Sequence, residues 1–183
     1  RLPGVEFALA RDGSRFVYVG EAPAGGTQLW LRAMDDLTAT PIPGSEGAQA
    51  PALSDDGRTV AFMDGRNGIK TISLRNGAAL AVVPAGQSPA WGSDGTLYYG
   101  NDAIIYRVPA TGGTPEAVTS RTDGLQMLPE VLPGKRGLLL TVMRGPPDKS
   151  RIAVVGPKGG AVREILTGTM ARYAASGHLV WAT

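Results

Sequence analysis

Apolar residues recur along the chain in short alternating runs, each closed by a tight turn and followed at once by another apolar run. The first group is Phe7 to Ala10, Arg15 to Gly20, Gln28 to Ala33 and Ala39 to Pro43. Within it Leu29 and Leu31 alternate with Trp30 and Arg32, as a strand with one buried face requires. The second group is Ala50 to Ser54, Thr59 to Met63, Ile69 to Leu74 and Ala79 to Val83. The third is Pro89 to Trp91, Leu97 to Tyr99, Ile104 to Val108 and Glu116 to Thr119. The fourth is Glu130 to Leu132, Leu138 to Val142, Arg151 to Val155 and Val162 to Leu166. A fifth group starts with Ala171 to Ala174 and Leu179 to Ala182. Apolar residues at helical spacing are soon interrupted by Gly or Pro, so the pattern predicts strands throughout.

The same turn opens every group: Arg11-Asp12-Gly13, Asp55-Asp56-Gly57, Ser93-Asp94-Gly95, Pro133-Gly134-Lys135 and Ala175-Ser176-Gly177. Its last residues are separated by about 44, 38, 40 and 42 positions, a spacing that in repeat proteins marks one β-propeller blade per unit. The expected fold is all-β, a β-propeller of four-stranded antiparallel blades with about four blades and half of a fifth. The blades fall at about 5–45, 46–86, 87–122 and 123–168, with a partial blade over 169–183, as one domain or a fragment of one. The Asp-Gly pairs predict two-residue hairpin loops, since Asp tolerates the left-handed region and Gly has no Cβ to clash there. Arg75-Asn76-Gly77 predicts a similar turn.

Composition agrees with many short strands: 26 Gly and 14 Pro are spread over turns instead of being gathered in tracts. A net charge of +2 with scattered Lys and Arg gives no basic stripe, so a nucleic-acid partner is not expected. The absence of cysteine excludes disulfides and thiolate metal sites. The longest apolar runs, such as Gly137 to Met143, fall far short of the roughly 20 residues that span a bilayer, so direct membrane insertion is not expected.

Candidate chemistry is sparse. His178 is the single histidine, and it follows a turn; its plain reading is an exposed hairpin residue, against a catalytic or ligand role. Asp35-Asp36 and Asp55-Asp56 lack the alternating oxygen pattern of a calcium loop and read as turn residues. Gly25-Gly26, Gly112-Gly113 and Gly159-Gly160 lack the Lys-Ser/Thr and helix of a phosphate cradle. No cofactor and no metal site are expected. Trp30, Trp91 and Trp181 read as packing between blades, with a stacking platform as the alternative.

The innermost strands hold the informative contrast. Five residues before each turn end the chain reads Ala8, Ala52, Ala90, Glu130 and Arg172, so two charges stand where small residues crowd. They form either an ion pair between neighbouring blades or part of a polar site at one mouth of the channel. Gln49, Gln87, Asp123 and Gln126, in the loops entering these strands, join Glu130 and Arg172 as the candidate rim for a protein, peptide or small polar ligand.

The stretches Phe7 to Gly20, Gln28 to Asp35 and Ala39 to Ala48, with Trp91 to Thr96, Tyr106 to Ala110, Gly112 to Pro115, and Ala171 to Val180, resemble a known pattern. It is the TolB-like propeller segment attached to bacterial serine/threonine protein kinases. The resemblance implies a non-catalytic sensor or interaction domain, placed after a kinase and a membrane span and hence outside the cytoplasm. No Gly-rich nucleotide loop, His-Arg-Asp or Asp-Phe-Gly is present, so kinase activity does not carry over. The chain starts without Met or a leader and stops where the family continues, so a fragment of a larger signalling protein is expected. The propeller part of a peptidase or glycosidase, and a structural homo-oligomer formed through exposed blade edges, are the alternatives.

Overall fold

The computed structural model describes residues 6–75, 77–174 and 176–183. Asn76 and Ala175, quoted above for two of the turns, lie outside the described residues. The first sheet is β1 (Phe7–Leu9), β2 (Arg15–Glu21), β3 (Thr27–Ala33) and β4 (Thr40–Pro41). The second is β5 (Gln49–Leu53), β6 (Thr59–Met63), β7 (Ile69–Ser73) and β8 (Ala79–Val83). β9 (Gln87–Trp91), β10 (Thr96–Asn101), β11 (Ile104–Pro109) and β12 (Glu116–Ala117) make the third, and β13 (Leu125–Val131), β14 (Leu138–Met143), β15 (Arg151–Val155) and β16 (Arg163–Thr167) the fourth. β17 (Thr169–Tyr173) and β18 (Leu179–Ala182) form a two-stranded sheet. Strands follow one another in each sheet in chain order, as expected of four blades and half of a fifth. The outer strands β4 and β12 are shorter than the sequence suggests, and β13 begins earlier.

The described chain divides into two compact units, residues 1–97 with 109–113, and residues 98–108 with 114–183. In the first, one face of β1–β4 carries Val17 opposite Leu31 and Val19 opposite Leu29. That face packs on Val60, Phe62 and Ile72 of the second sheet, with Leu53 and Leu74 at the margin. Each such side chain contributes about 1.5–3 kcal/mol on burial. In the second unit β14 is covered on both sides: Leu138, Leu140 and Val142 pack with Ile105, while Leu139 packs with Ile152 and Ala171. Double burial explains why this strand reads as an apolar run broken only by Thr141, where half-buried strands alternate.

The turns correct one expectation. Gly13, Gly57 and Gly95 do take positive φ, but Asp12, Asp56 and Asp94 do not, and the loops are longer than two residues. Each glycine N–H bonds back to the carbonyl three residues earlier, of Ala10, Ser54 and Gly92. The aspartate folds its carboxylate over the turn instead: Oδ1 of Asp12, Asp56 and Asp94 accepts the N–H of Ser14, Arg58 and Thr96 at 2.9, 3.1 and 3.2 Å. Asx-type capping, and not backbone tolerance, selects aspartate here.

Hydroxyl donation from Ser14 to Asp12 and from Ser54 to Asp56, followed by the turn N–H, holds both carboxyls below the ordinary range. Because the folded values lie below the unfolded value of about 3.9, the stabilisation is complete above that pH and is lost as pH falls through the folded values. Melting temperatures are expected to stay level from neutrality to about pH 5 and to drop below about pH 4. A double variant Asp12→Asn, Asp56→Asn keeps an acceptor oxygen without the titration, so its acid slope should be shallower; an identical slope would refute the assignment.

A second recurring feature was not visible in the sequence. Ala50, Ser88, Leu128 and Met170 all take positive φ, 47 to 57°, at the same distance before the turn of their repeat. Where register shifts are recorded they fall at these residues, between Gln49 and Ala52, Met127 and Glu130, and Thr169 and Arg172. Four of the five inner strands, β5, β9, β13 and β17, therefore carry a residue near their start in a conformation that costs a non-glycine residue about 1–2 kcal/mol, and in β5, β13 and β17 it marks a β-bulge.

Candidate functional site

In the first unit, Gln49 and Gln87 are the opening residues of β5 and β9, each directly preceding a residue of positive φ, Ala50 and Ser88. The two strands pack together, and the Trp91 indole N–H donates to the Ala52 carbonyl at 2.9 Å. Small residues at Ala52 and Ala90 allow that approach. Gln49 is exposed and Gln87 half-buried, and neither amide makes a hydrogen bond among the described residues. A side-chain amide carries two donors and an acceptor, so this pair of strand ends offers capacity that the fold does not consume.

The second unit holds the other four expected rim residues and uses them internally. Glu130 Oε1 accepts the backbone N–H of Tyr173 at 2.8 Å, and Oε2 lies 3.4 Å from Arg172 Nη1. The charges thus tie β13 to β17, which is the ion-pair reading of the two. Gln126 is fully buried: its Oε1 accepts from the Thr119 hydroxyl at 2.5 Å, and its Nε2 donates to the Ser120 carbonyl at 2.7 Å and more weakly to Thr122. Thr119 Oγ1 in turn accepts the Ile105 N–H at 2.9 Å. Asp123 is exposed and accepts from Arg144, which also bonds Glu164. Arg144 holds the Asp123 carboxyl below its usual range, and the two acids raise the already high pKa of Arg144.

Sequence reasoning did not single out Thr119, Arg144, Glu164 or the Tyr173 N–H. Strand register places Glu164 opposite Ala153, which pairs in turn with Leu140 of β14. His178 is exposed with a ring nitrogen 3.0 Å from Ser176 Oγ. Asp36 accepts the Thr38 N–H at 2.8 Å, and Asp55 pairs with Arg11 at 3.2 Å. Among the described residues no group of three or more His, Asp or Glu is placed to hold a metal ion, and no helix is long and apolar enough to cross a membrane. A cleft of about 340 Å³ in the first unit is lined by Asp64, Arg66, Lys70, Ala81, Val83 and Pro84 among others, and by none of the expected rim residues. Its facing charges, Asp64 and Lys70, neutralise each other at 3.1 Å.

No family model matches the chain. It is 32% identical over 131 residues to a Protein TolB homolog of Chlorobium luteolum, a match that takes in 66% of this chain and 30% of that protein. The crystal structure of TolB from Acinetobacter baumannii superposes on 99% of this chain with a TM-score of 0.80, at 20% identity and over 49% of its own length. The fold is a TolB-like β-propeller. Oligogalacturonate lyase from Vibrio parahaemolyticus shares that fold, with a TM-score of 0.73 at 16% identity over 93% of this chain and 55% of the lyase. The chain therefore spans less than a third of the curated relative and about half of each of these structures. Enzymes and a TolB protein stand side by side among the propellers that resemble it, so fold alone does not choose a function.

Proposed function

We propose that this chain is a non-catalytic interaction module of a larger bacterial signalling protein, and that it binds an extended peptide or a similar polar ligand through the heads of its inner strands. The observation that supports this reading is the Gln49 and Gln87 pair. Two amides stand at the same repeat position on packed neighbouring strands, each next to a positive-φ residue and each without a hydrogen-bond partner among the described residues. Peptide groups offer alternating donors and acceptors, which side-chain amides match without charge. Glu130 and Arg172 serve mainly to hold β17 against β13, with their unused hydrogen-bonding capacity and the carboxylate of Asp123 as secondary contacts. Placement outside the cytoplasm and linkage to a kinase belong to the same proposal, and rest on the resemblance of the repeat motifs.

The test is a peptide array probed with the 183-residue chain, followed by calorimetry on the strongest binders. The double variant Gln49→Ala, Gln87→Ala is expected to bind about tenfold more weakly, about 1.4 kcal/mol, with an unchanged melting temperature. Unchanged affinity in that variant, or turnover of a polyuronate or peptide by the wild-type chain, would overturn the proposal.

A further inference from the structure

The outer edge of the second sheet is unlike those of the other four-stranded sheets. β4 and β12 are two residues long, and β16 carries Arg163 and Glu164, so those edges are short or charged. Both devices keep an exposed strand edge from pairing. β8 runs for five residues, Ala79–Val83, with no charge among them, and its only strand neighbour is β7. It is internal to the chain, with the described sheets β1–β4 and β9–β12 before and after its own. Ala79, Leu80 and Ala81 are exposed, Leu80 by 46%. They stand in unbroken register with Ile72, Thr71 and Lys70; the register shifts at Val82, and Pro84 follows with no N–H to continue a ladder.

The cleft of about 340 Å³ opens at the Val83 end of this edge. Asp64, in its wall, serves the fold: Oδ1 accepts the N–H of Arg66 and of Gly68, each at 2.9 Å, and Oδ2 takes the Lys70 ammonium at 3.1 Å. An ammonium has three donors, so Lys70 keeps N–H capacity beyond that pair. The Arg66 guanidinium, exposed on the loop between β6 and β7, makes no ion pair among the described residues. The side chains of the cleft therefore present donors and a net positive charge, beside an apolar wall of Ile69, Val82 and Val83. That surface complements a carboxylate carried by an apolar residue, and a guanidinium can hold both carboxylate oxygens at once.

We propose that β8 and this cleft form a second peptide site, apart from the Gln49 and Gln87 strand heads. An extended C-terminal segment of a partner protein adds as a strand along Ala79 to Ala81, and its free carboxylate sits against Arg66 and Lys70. In strand addition of this kind main-chain hydrogen bonds supply affinity, and the charged end sets direction and register. The added strand runs parallel to β8, with its C-terminus at the Val83 end. A chain end suits the site better than an internal acidic side chain does. Pro84 stops the ladder where the cleft begins, so a strand that ends there delivers its carboxylate to the donors without having to turn away.

The probe is a pool of random hexapeptides with free C-termini and an N-terminal dye, screened against the 183-residue chain by fluorescence polarisation. The tightest binder is then remade as its C-terminal amide and with single backbone N-methyl groups. The amide, and Arg66→Ala tested against the free acid, should each bind about tenfold more weakly, and the two losses should not add because they remove one contact. N-methylation should weaken binding at alternate residues only, since alternate N–H groups of an added strand face β8. The double variant Gln49→Ala, Gln87→Ala should leave this binding unchanged. The peptide changes leave the protein untouched, so they carry the test even if circular dichroism shows Arg66→Ala to be less well folded. A pool without a binder, a binder indifferent to the amide or to every N-methyl group, or one that tolerates the amide but needs an internal acidic side chain would overturn the proposal. So would a binder weakened by the glutamine variant and not by Arg66→Ala, an outcome that leaves the strand-head site standing.

Discussion

Gly137→Ala is expected to lower the unfolding free energy by about 3 kcal/mol or more, the largest effect of any single methyl group added to this chain. Gly137 has φ +127°, a region open in practice to glycine alone, and a Cβ there would overlap the carbonyl oxygen of Val155. The strand cannot move aside. Its carbonyl accepts the Leu132 N–H at 2.9 Å, the next residue pairs with Val155, and Leu138, Leu139 and Leu140 are buried against neighbours on both faces. Gly95→Ala is the matched control: φ is +77°, no heavy atom lies within 4 Å of the added methyl, and only the backbone penalty of about 1–2 kcal/mol remains. Urea denaturation of the two variants beside wild type decides the matter, and a Gly137→Ala midpoint no lower than that of Gly95→Ala would refute this account.

The pair also shows where the sequence is readable. Gly95 sits in a repeated Asp-Gly turn and announces itself, because turn chemistry is local and recurs every forty or so residues. Gly137 stands beside an apolar run with no Asp before it to mark its role, and its constraint comes from β15, a strand about 18 residues further on. Period and strand count were legible for the first reason. The positive φ of Ala50, Ser88, Leu128 and Met170 was not, because alanine, serine, leucine and methionine carry no signature of it; the surrounding strands impose it. The candidate site divides in the same way. That Glu130 and Arg172 break the small-residue pattern was visible, as was their ion-pair reading. That Asp123 turns to Arg144, and that Gln126 is sealed inside, depends on strand register and on the loop that carries Thr119 to Thr122. A glutamine in a loop before a strand has the same local sequence whether its amide meets solvent or a threonine.

That ambiguity is resolved by an experiment on Gln126 itself. Gln126→Leu preserves most of the volume but leaves the buried Thr119 hydroxyl, and the Ser120 carbonyl nearer the surface, without the partners they now have. A buried group left unpaired costs about 1–3 kcal/mol, so a loss of about that size is expected. Thr119→Val removes the middle of the same chain and orphans the Ile105 N–H, so it should be costly as well. In the double variant the penalties should fall short of their sum by about 1 kcal/mol or more, since both substitutions break one shared bond. A rim glutamine that serves a ligand would behave in the opposite way: stability would hold and affinity would fall. Denaturation and peptide binding measured on the same Gln126→Leu protein therefore separate the two roles. Gln49→Ala run beside it should give the reverse pattern, because the Gln49 amide makes no hydrogen bond among the described residues, whereas the Gln126 amide joins β13 to the Thr119 loop.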